Sequence, residues 1–126
     1  LKANVESLKK KNINMFINVR SDVFLLGLPN AVEETKHRLK QYQTTGINGI
    51  FLPCISNEAD IEEICKATEL PVNVMCMPNL PNFEKLNELG VKRISMGNFV
   101  HSFINKELEE IMLSVIEKKS FSPIFE

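Results

Sequence analysis

The chain has 126 residues, of which 44% are hydrophobic and 25% charged, and its formal net charge is −1. This length fits one domain with a real core, and the near-neutral charge gives no electrostatic case for nucleic acid or an anionic membrane surface as the main partner. No apolar run is long enough to span a bilayer. The composition is typical of a soluble globular domain.

The three cysteines, Cys54, Cys65 and Cys76, are spaced 11 residues apart in apolar segments. None has a second Cys or a His at the spacing of a metal site, so we expect no metal ligands among them. We interpret them as reduced core residues, which favours a cytoplasmic protein.

The first residues are typical of the last turns of a helix, because Val5 and Leu8 precede a run of lysines, and cations are favourable at a helix C-terminus. The lysines are not followed by an apolar segment of the kind that a signal peptide needs. The chain starts at Leu1 rather than Met, so we expect a cut through a longer protein.

Four runs are expected to form strands: 14–19, 49–54, 71–77 and 91–96. Each is mostly apolar on both faces, which indicates buried parallel strands. Helical patterns lie between them. One begins at Asn30, interpreted as an N-cap with Glu33 in a capping-box arrangement, and ends near Gly46.

Further helices are predicted after Ser56, over about 82–88 and over about 99–118. Repeated strand–helix units predict a parallel α/β sheet with right-handed crossovers. No linker or low-complexity tract divides the chain, so we expect one structural unit over residues 1–126.

Polar side chains end the first predicted strand, where ligands bind in parallel α/β proteins. The planar guanidinium of Arg20 can bind a carboxylate or phosphate through two parallel hydrogen bonds. Asn18 lies on the same face of the strand. A structural ion pair between Arg20 and Asp22 is the equally weighted alternative. Asn73, inside the third strand, could reach a ligand but is more often a satisfied core amide.

The sequence contains no Asp-x-Asp, His-Glu-x-x-His or Gly-x-Ser-x-Gly motif. It therefore predicts no complete catalytic apparatus and no metal ligands in this chain.

Four blocks in order carry a resemblance to a known family: residues 16–22 (Phe-Ile-Asn-Val-Arg-Ser-Asp), 45–53 (Thr-Gly-Ile-Asn-Gly-Ile-Phe-Leu-Pro), 70–75 (Leu-Pro-Val-Asn-Val-Met) and 89–97 (Leu-Gly-Val-Lys-Arg-Ile-Ser-Met-Gly). Together they resemble the C-terminal half of the isocitrate lyase and phosphoenolpyruvate mutase superfamily. The first block corresponds to that family's Asn-Ala-Arg-Thr-Asp motif, with Val19 for Ala and Ser21 for Thr.

The resemblance implies strands five to eight of a modified TIM barrel, a parallel (βα)4 half with outer helices. It implies an enzyme that makes or breaks C–C or P–C bonds of small α-keto or dicarboxylic acids through an enolate-type intermediate, with Mg²⁺ held by the missing half. Arg20 would bind the carboxylate or phosphonate of the substrate, with Asn18 and Asp22 in support. The resemblance further implies a homo-oligomer with an exchanged C-terminal helix, and a fragment that is inactive alone.

One position departs from the lyase pattern. Lyases of the family commonly have Glu, in a Phe-Pro-Glu motif, at the position that aligns with Pro53. A proline cannot replace a carboxylate, so the resemblance favours the phosphonomutase-like branch, whose members often show Val-Pro-Gly there. The alternative interpretation is a non-catalytic binding or regulatory module with a doubly wound sheet, which would carry helices on both faces.

Overall fold

The computed structural model describes residues 1–125. The helices are α1 (Lys2–Lys10), α2 (Ala31–Gln43), α3 (Glu58–Lys66), α4 (Phe83–Glu88) and α5 (Phe99–Lys118). The strands are β1 (Asn18–Arg20), β2 (Gly49–Leu52), β3 (Val72–Met75) and β4 (Arg93–Ser95). Contacts divide the chain into two units, Leu1–Ser95 and the residues from Met96 onward.

In the first unit, the four strands form one parallel sheet in the order β1-β2-β3-β4. This order follows the chain, as in a barrel, and has no reversal of the kind that creates the ligand crevice of a doubly wound sheet. The predicted (βα)4 architecture is confirmed, and the doubly wound alternative is wrong. The strands are shorter than predicted, and β1 begins four residues later than expected.

The core lies on one face of the sheet. Ile50, Leu52 and Val74 are fully buried there, together with Leu39 of α2 and Ile64 of α3. Each such aliphatic side chain contributes roughly 1.5–3 kcal/mol through its burial. We call this the helix-covered face.

The other face, which we call the open face, carries Asn18, Arg20, Phe51, Asn73 and Arg93. On this face the prediction that the strands are buried on both faces is confirmed at Asn73, which is 3% exposed, and wrong at Arg20 and Arg93, which are exposed. Arg20 and Arg93 are exposed because they lie on the two edge strands, and within the described residues no further strand covers either edge or this face.

Local signals explain where the helices begin. The side chain of Asn57 accepts a hydrogen bond from the backbone N–H of Asp60 at 3.1 Å, and Asn82 does the same for Lys85 at 2.9 Å. Each bond satisfies a free N–H of the first helical turn. These caps fix the starts of α3 and α4.

The start of α2 differs from the prediction. Asn30 precedes the helix but has a left-handed backbone with φ 55°, and its side chain makes no capping hydrogen bond. Asparagine tolerates this conformation, but a residue whose side chain caps a helix typically has an extended backbone. Instead of completing a capping box, Glu33 accepts a hydrogen bond from Lys36 at 2.8 Å. That bond and one to Glu63 raise the pKa of Lys36.

The second unit consists of α5 and a 3₁₀ turn at Ser122–Ile124. α5 has the predicted bounds, but no residue of this fully described helix is buried. Its exposed large side chains are Phe99, Val100, Phe103, Ile104, Leu108, Ile111, Met112, Leu113 and Ile116.

Candidate anion-binding site

Arg20 is the last residue of β1, and its side chain is 59% exposed. Its Nε lies 2.8 Å from Asp22 Oδ1 in a close ion contact, and its Nη2 donates a hydrogen bond to Asp22 Oδ2 at 3.2 Å. The ion pair that the sequence left as an alternative is therefore present. Asp22 uses the Nε side of the guanidinium, which leaves the Nη1–Nη2 edge able to donate two parallel hydrogen bonds to an anion.

The sheet register places four side chains of the open face in one row. Arg20 pairs with Phe51, Phe51 with Asn73, and Asn73 with Arg93. Residues in register on parallel strands direct their side chains to the same face. The two predicted residues Arg20 and Asn73 therefore belong to one surface, and Asn18 lies on the same face one step earlier, beside Gly49.

Two amides of this face have an unused hydrogen-bond acceptor. Asn73 is only 3% exposed, and its Oδ1 has no hydrogen-bond partner. Asn18 Oδ1 is likewise buried without a partner. Leaving a buried polar group unsatisfied costs about 1–3 kcal/mol, so most such groups in proteins are paired. Asn73 is therefore not the satisfied core amide that the sequence favoured.

Phe16 and Arg93 complete the open face, and the sequence did not identify either as part of a site. The guanidinium of Arg93 lies over the Phe16 ring, 5.9 Å from its centroid. A Cβ atom on Gly49 would approach the same ring to 3.2 Å and Asn18 Oδ1 to 2.9 Å. The missing side chain of Gly49 thus makes room for Phe16. A signal for Arg93 was its charge within a predicted strand.

Cys54 follows the end of β2 in a left-handed conformation, with φ 67°. Residues other than glycine adopt this region at a cost of roughly 1–2 kcal/mol. The backbone turn at the carboxyl end of β2 is therefore strained at Cys54.

This strain predicts the effect of two substitutions at Cys54. Both Cys54→Gly and Cys54→Ala remove the thiol, but only glycine relieves the left-handed backbone. We expect the glycine variant to be about 1 kcal/mol more stable toward unfolding in urea than the alanine variant. An alanine variant as stable as the glycine variant would contradict the strain.

The three cysteines are not in disulfide bonds and are partly buried, and burial raises the pKa of the Cys65 thiol. Among residues 1–125, no group of three or more His, Cys, Asp or Glu side chains could hold a metal ion. The Asp22 carboxylate is already in contact with Arg20. The residues present therefore do not fit a Mg²⁺ site. Within the described residues, none of the helices has the length and apolar character of a membrane-spanning segment.

The sequence matches the family model of phosphoenolpyruvate phosphomutase over residues 1–116. Two relatives from Mycobacterium tuberculosis are the uncharacterized proteins Rv1998c, of strain H37Rv, and MT2054, of strain CDC 1551. Each is 30% identical over 100 residues, which is 79% of this chain and 38% of the relative. The chain thus spans less than half the length of the relatives that it matches.

Solved structures show the same fold. A candidate phosphonomutase from Burkholderia cenocepacia J2315 superposes with a TM-score of 0.80 at 30% identity, over 90% of this chain and 49% of that one. A candidate lyase/mutase from the same organism gives 0.84 at 22% identity, over 98% and 45%. A phosphoenolpyruvate phosphomutase from Streptomyces platensis subsp. rosaceus gives 0.75 at 13%, over 90% and 42%. The chain is similar to about half of each barrel.

Proposed function

The chain belongs to the phosphoenolpyruvate phosphomutase family, and from this premise we propose that it is the substrate-anchoring half of a lyase or phosphonomutase-like enzyme. The complete protein would make or break C–C or P–C bonds of small α-keto or dicarboxylic acids through an enolate-type intermediate. This chain alone would be inactive, because within the described residues no group of three or more His, Cys, Asp or Glu side chains could hold a metal ion.

One observation carries the proposal: the guanidinium of Arg20 at the carboxyl end of β1. Ligands of barrel enzymes bind at this end of the strands. Asp22 holds the Nε side of Arg20, at 2.8 Å, and so orients the remaining Nη1–Nη2 edge. A carboxylate or phosphonate group bound there would be fixed in direction as well as in place. Asp22 is thus a positioning residue in the proposal, and Asn18 and Asn73 are the other proposed substrate contacts.

A positive charge near the substrate would also stabilise the proposed intermediate. An enolate-type intermediate carries negative charge, which fixed positive groups stabilise in a site that excludes water. Arg20 supplies one such charge. Mg²⁺ is a further proposal for the complete protein, with its ligands outside this chain.

We also propose that the complete protein is a cytoplasmic homo-oligomer that exchanges its C-terminal helix between subunits. The exposed aromatic and aliphatic side chains of α5 support this proposal, because apolar patches of this extent usually mark an interaction surface.

A charged substitution on α5 tests the proposed exchange of the C-terminal helix between subunits. Leu108 is 57% exposed, and Leu108→Glu is expected to convert the oligomer largely to monomer, because it puts a charge into the proposed apolar interface. Sedimentation velocity would measure the change. The neighbouring Glu109→Gln serves as the control and should keep the oligomer. An unaltered sedimentation coefficient for Leu108→Glu would argue against an interface on α5.

A further inference from the structure

Two of the three cysteines lie at the same end of the sheet. Cys54 follows β2 and Cys76 follows β3, so both lie just beyond the carboxyl ends of neighbouring strands. Both side chains are partly exposed, and neither is in a disulfide bond. Cys54 also has a left-handed backbone, and strain of this kind is concentrated at functional sites. The proposed substrate contacts include neither thiol.

The sheet register relates these two positions to each other. Each residue of β2 in the register pairs with the residue of β3 that lies 22 positions later in the chain, as Leu52 does with Val74. Cys54 and Cys76 are separated by the same 22 positions, and each comes two residues after this last pair. Continued beyond the strands, the register therefore sets the two cysteines opposite each other.

The spacing of the strands suits a covalent bond between these cysteines. Neighbouring strands lie about 4.8 Å apart, and disulfides join Cα atoms that are about 4.4–6.8 Å apart. Cys76 continues the line of β3, because its backbone N–H donates a hydrogen bond to the carbonyl of Ser95 on β4 at 2.8 Å. Cys54 lies in a turn rather than in the paired strand, so its backbone can adjust without disturbing the sheet. The geometry thus permits a bridge between the two segments.

The third cysteine has a different place and environment. Cys65 belongs to α3, and it lines a cavity together with Pro71 and Lys92, the residues that precede β3 and β4. This cavity is therefore at the amino end of the sheet. Burial raises the pKa of the Cys65 thiol, which disfavours the thiolate that oxidants attack. Cys65 is thus a matched control for the other two cysteines.

We propose that Cys54 and Cys76 form a reversible redox pair, which a peroxide oxidises to a disulfide. The thiolate of one cysteine attacks an oxygen of hydrogen peroxide, the O–O bond breaks, and a sulfenic acid and hydroxide form. The thiolate of the other cysteine then attacks the sulfenic sulfur, so that the S–S bond forms and the S–O bond breaks with loss of a second hydroxide. The two protons from the thiols neutralise the two hydroxides. Two thiols and one hydrogen peroxide therefore give one disulfide and two water molecules.

The bridge would join the segments that follow β2 and β3, at the end of the sheet where barrel enzymes bind their ligands. A dithiol reductant would reopen it by thiol–disulfide exchange. Disulfides of cytoplasmic proteins are usually transient and often sense the redox state, which agrees with the proposed location. The inference does not rest on the proposed function, because formation of the bond requires no substrate and no turnover.

Peptide mapping of the complete protein that contains this chain tests the bond. The folded protein is treated with hydrogen peroxide, its remaining thiols are blocked with N-ethylmaleimide, and it is digested with trypsin and Glu-C. Glu-C cuts after Glu58 and so separates Cys54 from Cys65. Mass spectrometry should find the peptides of Cys54 and Cys76 joined, with the loss of two hydrogen atoms, and dithiothreitol should release them.

Single variants identify the partners. Cys54→Ser and Cys76→Ser should each abolish the linked peptide, whereas Cys65→Ser should leave it unchanged. The decisive measurement uses the unsubstituted protein, so it does not depend on the folding of any variant. Cys54 and Cys76 that remain thiols, that are oxidised separately to sulfinic acids, or that are joined to other cysteines would overturn the inference.

Discussion

Replacing Arg20 with alanine in the complete protein is expected to lower kcat/KM on its true substrate by about two to three orders of magnitude. The Nη1–Nη2 edge of this guanidinium can donate two charge-assisted hydrogen bonds to one acidic group, and each contributes about 1.5–3 kcal/mol. Asp22 fixes the orientation of that edge through its contact with Nε at 2.8 Å. Steady-state kinetics with the wild type and the variant would measure the effect.

Two further variants show whether the fall in kcat/KM arises from the paired Nη1 and Nη2 donors of the guanidinium. Arg20→Lys keeps the charge without the planar pair of donors and should be intermediate. Arg38 is a partly exposed arginine of α2 that is also paired, to Glu34 at 2.6 Å, so Arg38→Ala is a matched control with no expected effect on turnover. An Arg20→Ala enzyme with unchanged kcat/KM would refute substrate anchoring by this residue.

Asn73→Leu is expected to move stability and activity in opposite directions. The amide is 97% removed from solvent with an unpaired Oδ1, and a side chain of similar size without polar atoms avoids that cost. The free energy of unfolding should therefore rise by about 1 kcal/mol or more, while kcat/KM falls by roughly tenfold or more because a substrate contact is lost. Urea unfolding and steady-state kinetics measure the two effects.

Ser21 provides the control for this prediction. Its side chain is 1% exposed and its Oγ is also unpaired, but it follows Arg20 in sequence and so lies toward the helix-covered face. Ser21→Ala should leave activity unchanged whatever it does to stability. If Asn73→Leu destabilised the protein and left kcat/KM intact, Asn73 would be a structural residue rather than a substrate contact.

The sequence predicted the order of strands and helices and the parallel sheet, because strand–helix alternation and caps such as Asn57 and Asn82 are local signals. It also placed Arg20 at the end of a strand. It could not distinguish the ion pair with Asp22 from anion binding, because both need the same side chain. The structure contains the ion pair and leaves one edge of the guanidinium unused.

Other features depend on contacts that no local pattern encodes. Asn30 has a left-handed backbone instead of forming the expected cap. Cys54 has the same conformation, which its sequence could not predict because cysteine usually adopts other backbone regions. The contact between Arg93 and Phe16 joins residues that are far apart in the sequence. An apolar strand also predicts burial on both faces, because its sequence does not show which face another part of a barrel would cover.

A crystal structure of the complete protein with bound oxalate would test the central claim most directly. Oxalate is a small dianion that mimics a planar enolate-type acid, and its carboxylate should accept hydrogen bonds from Nη1 and Nη2 of Arg20 at about 2.7–2.9 Å, with Asp22 still on the Nε side. Oxalate bound away from the carboxyl end of β1, with Arg20 in contact only with Asp22, would contradict the role of this chain as the substrate-anchoring half of the barrel.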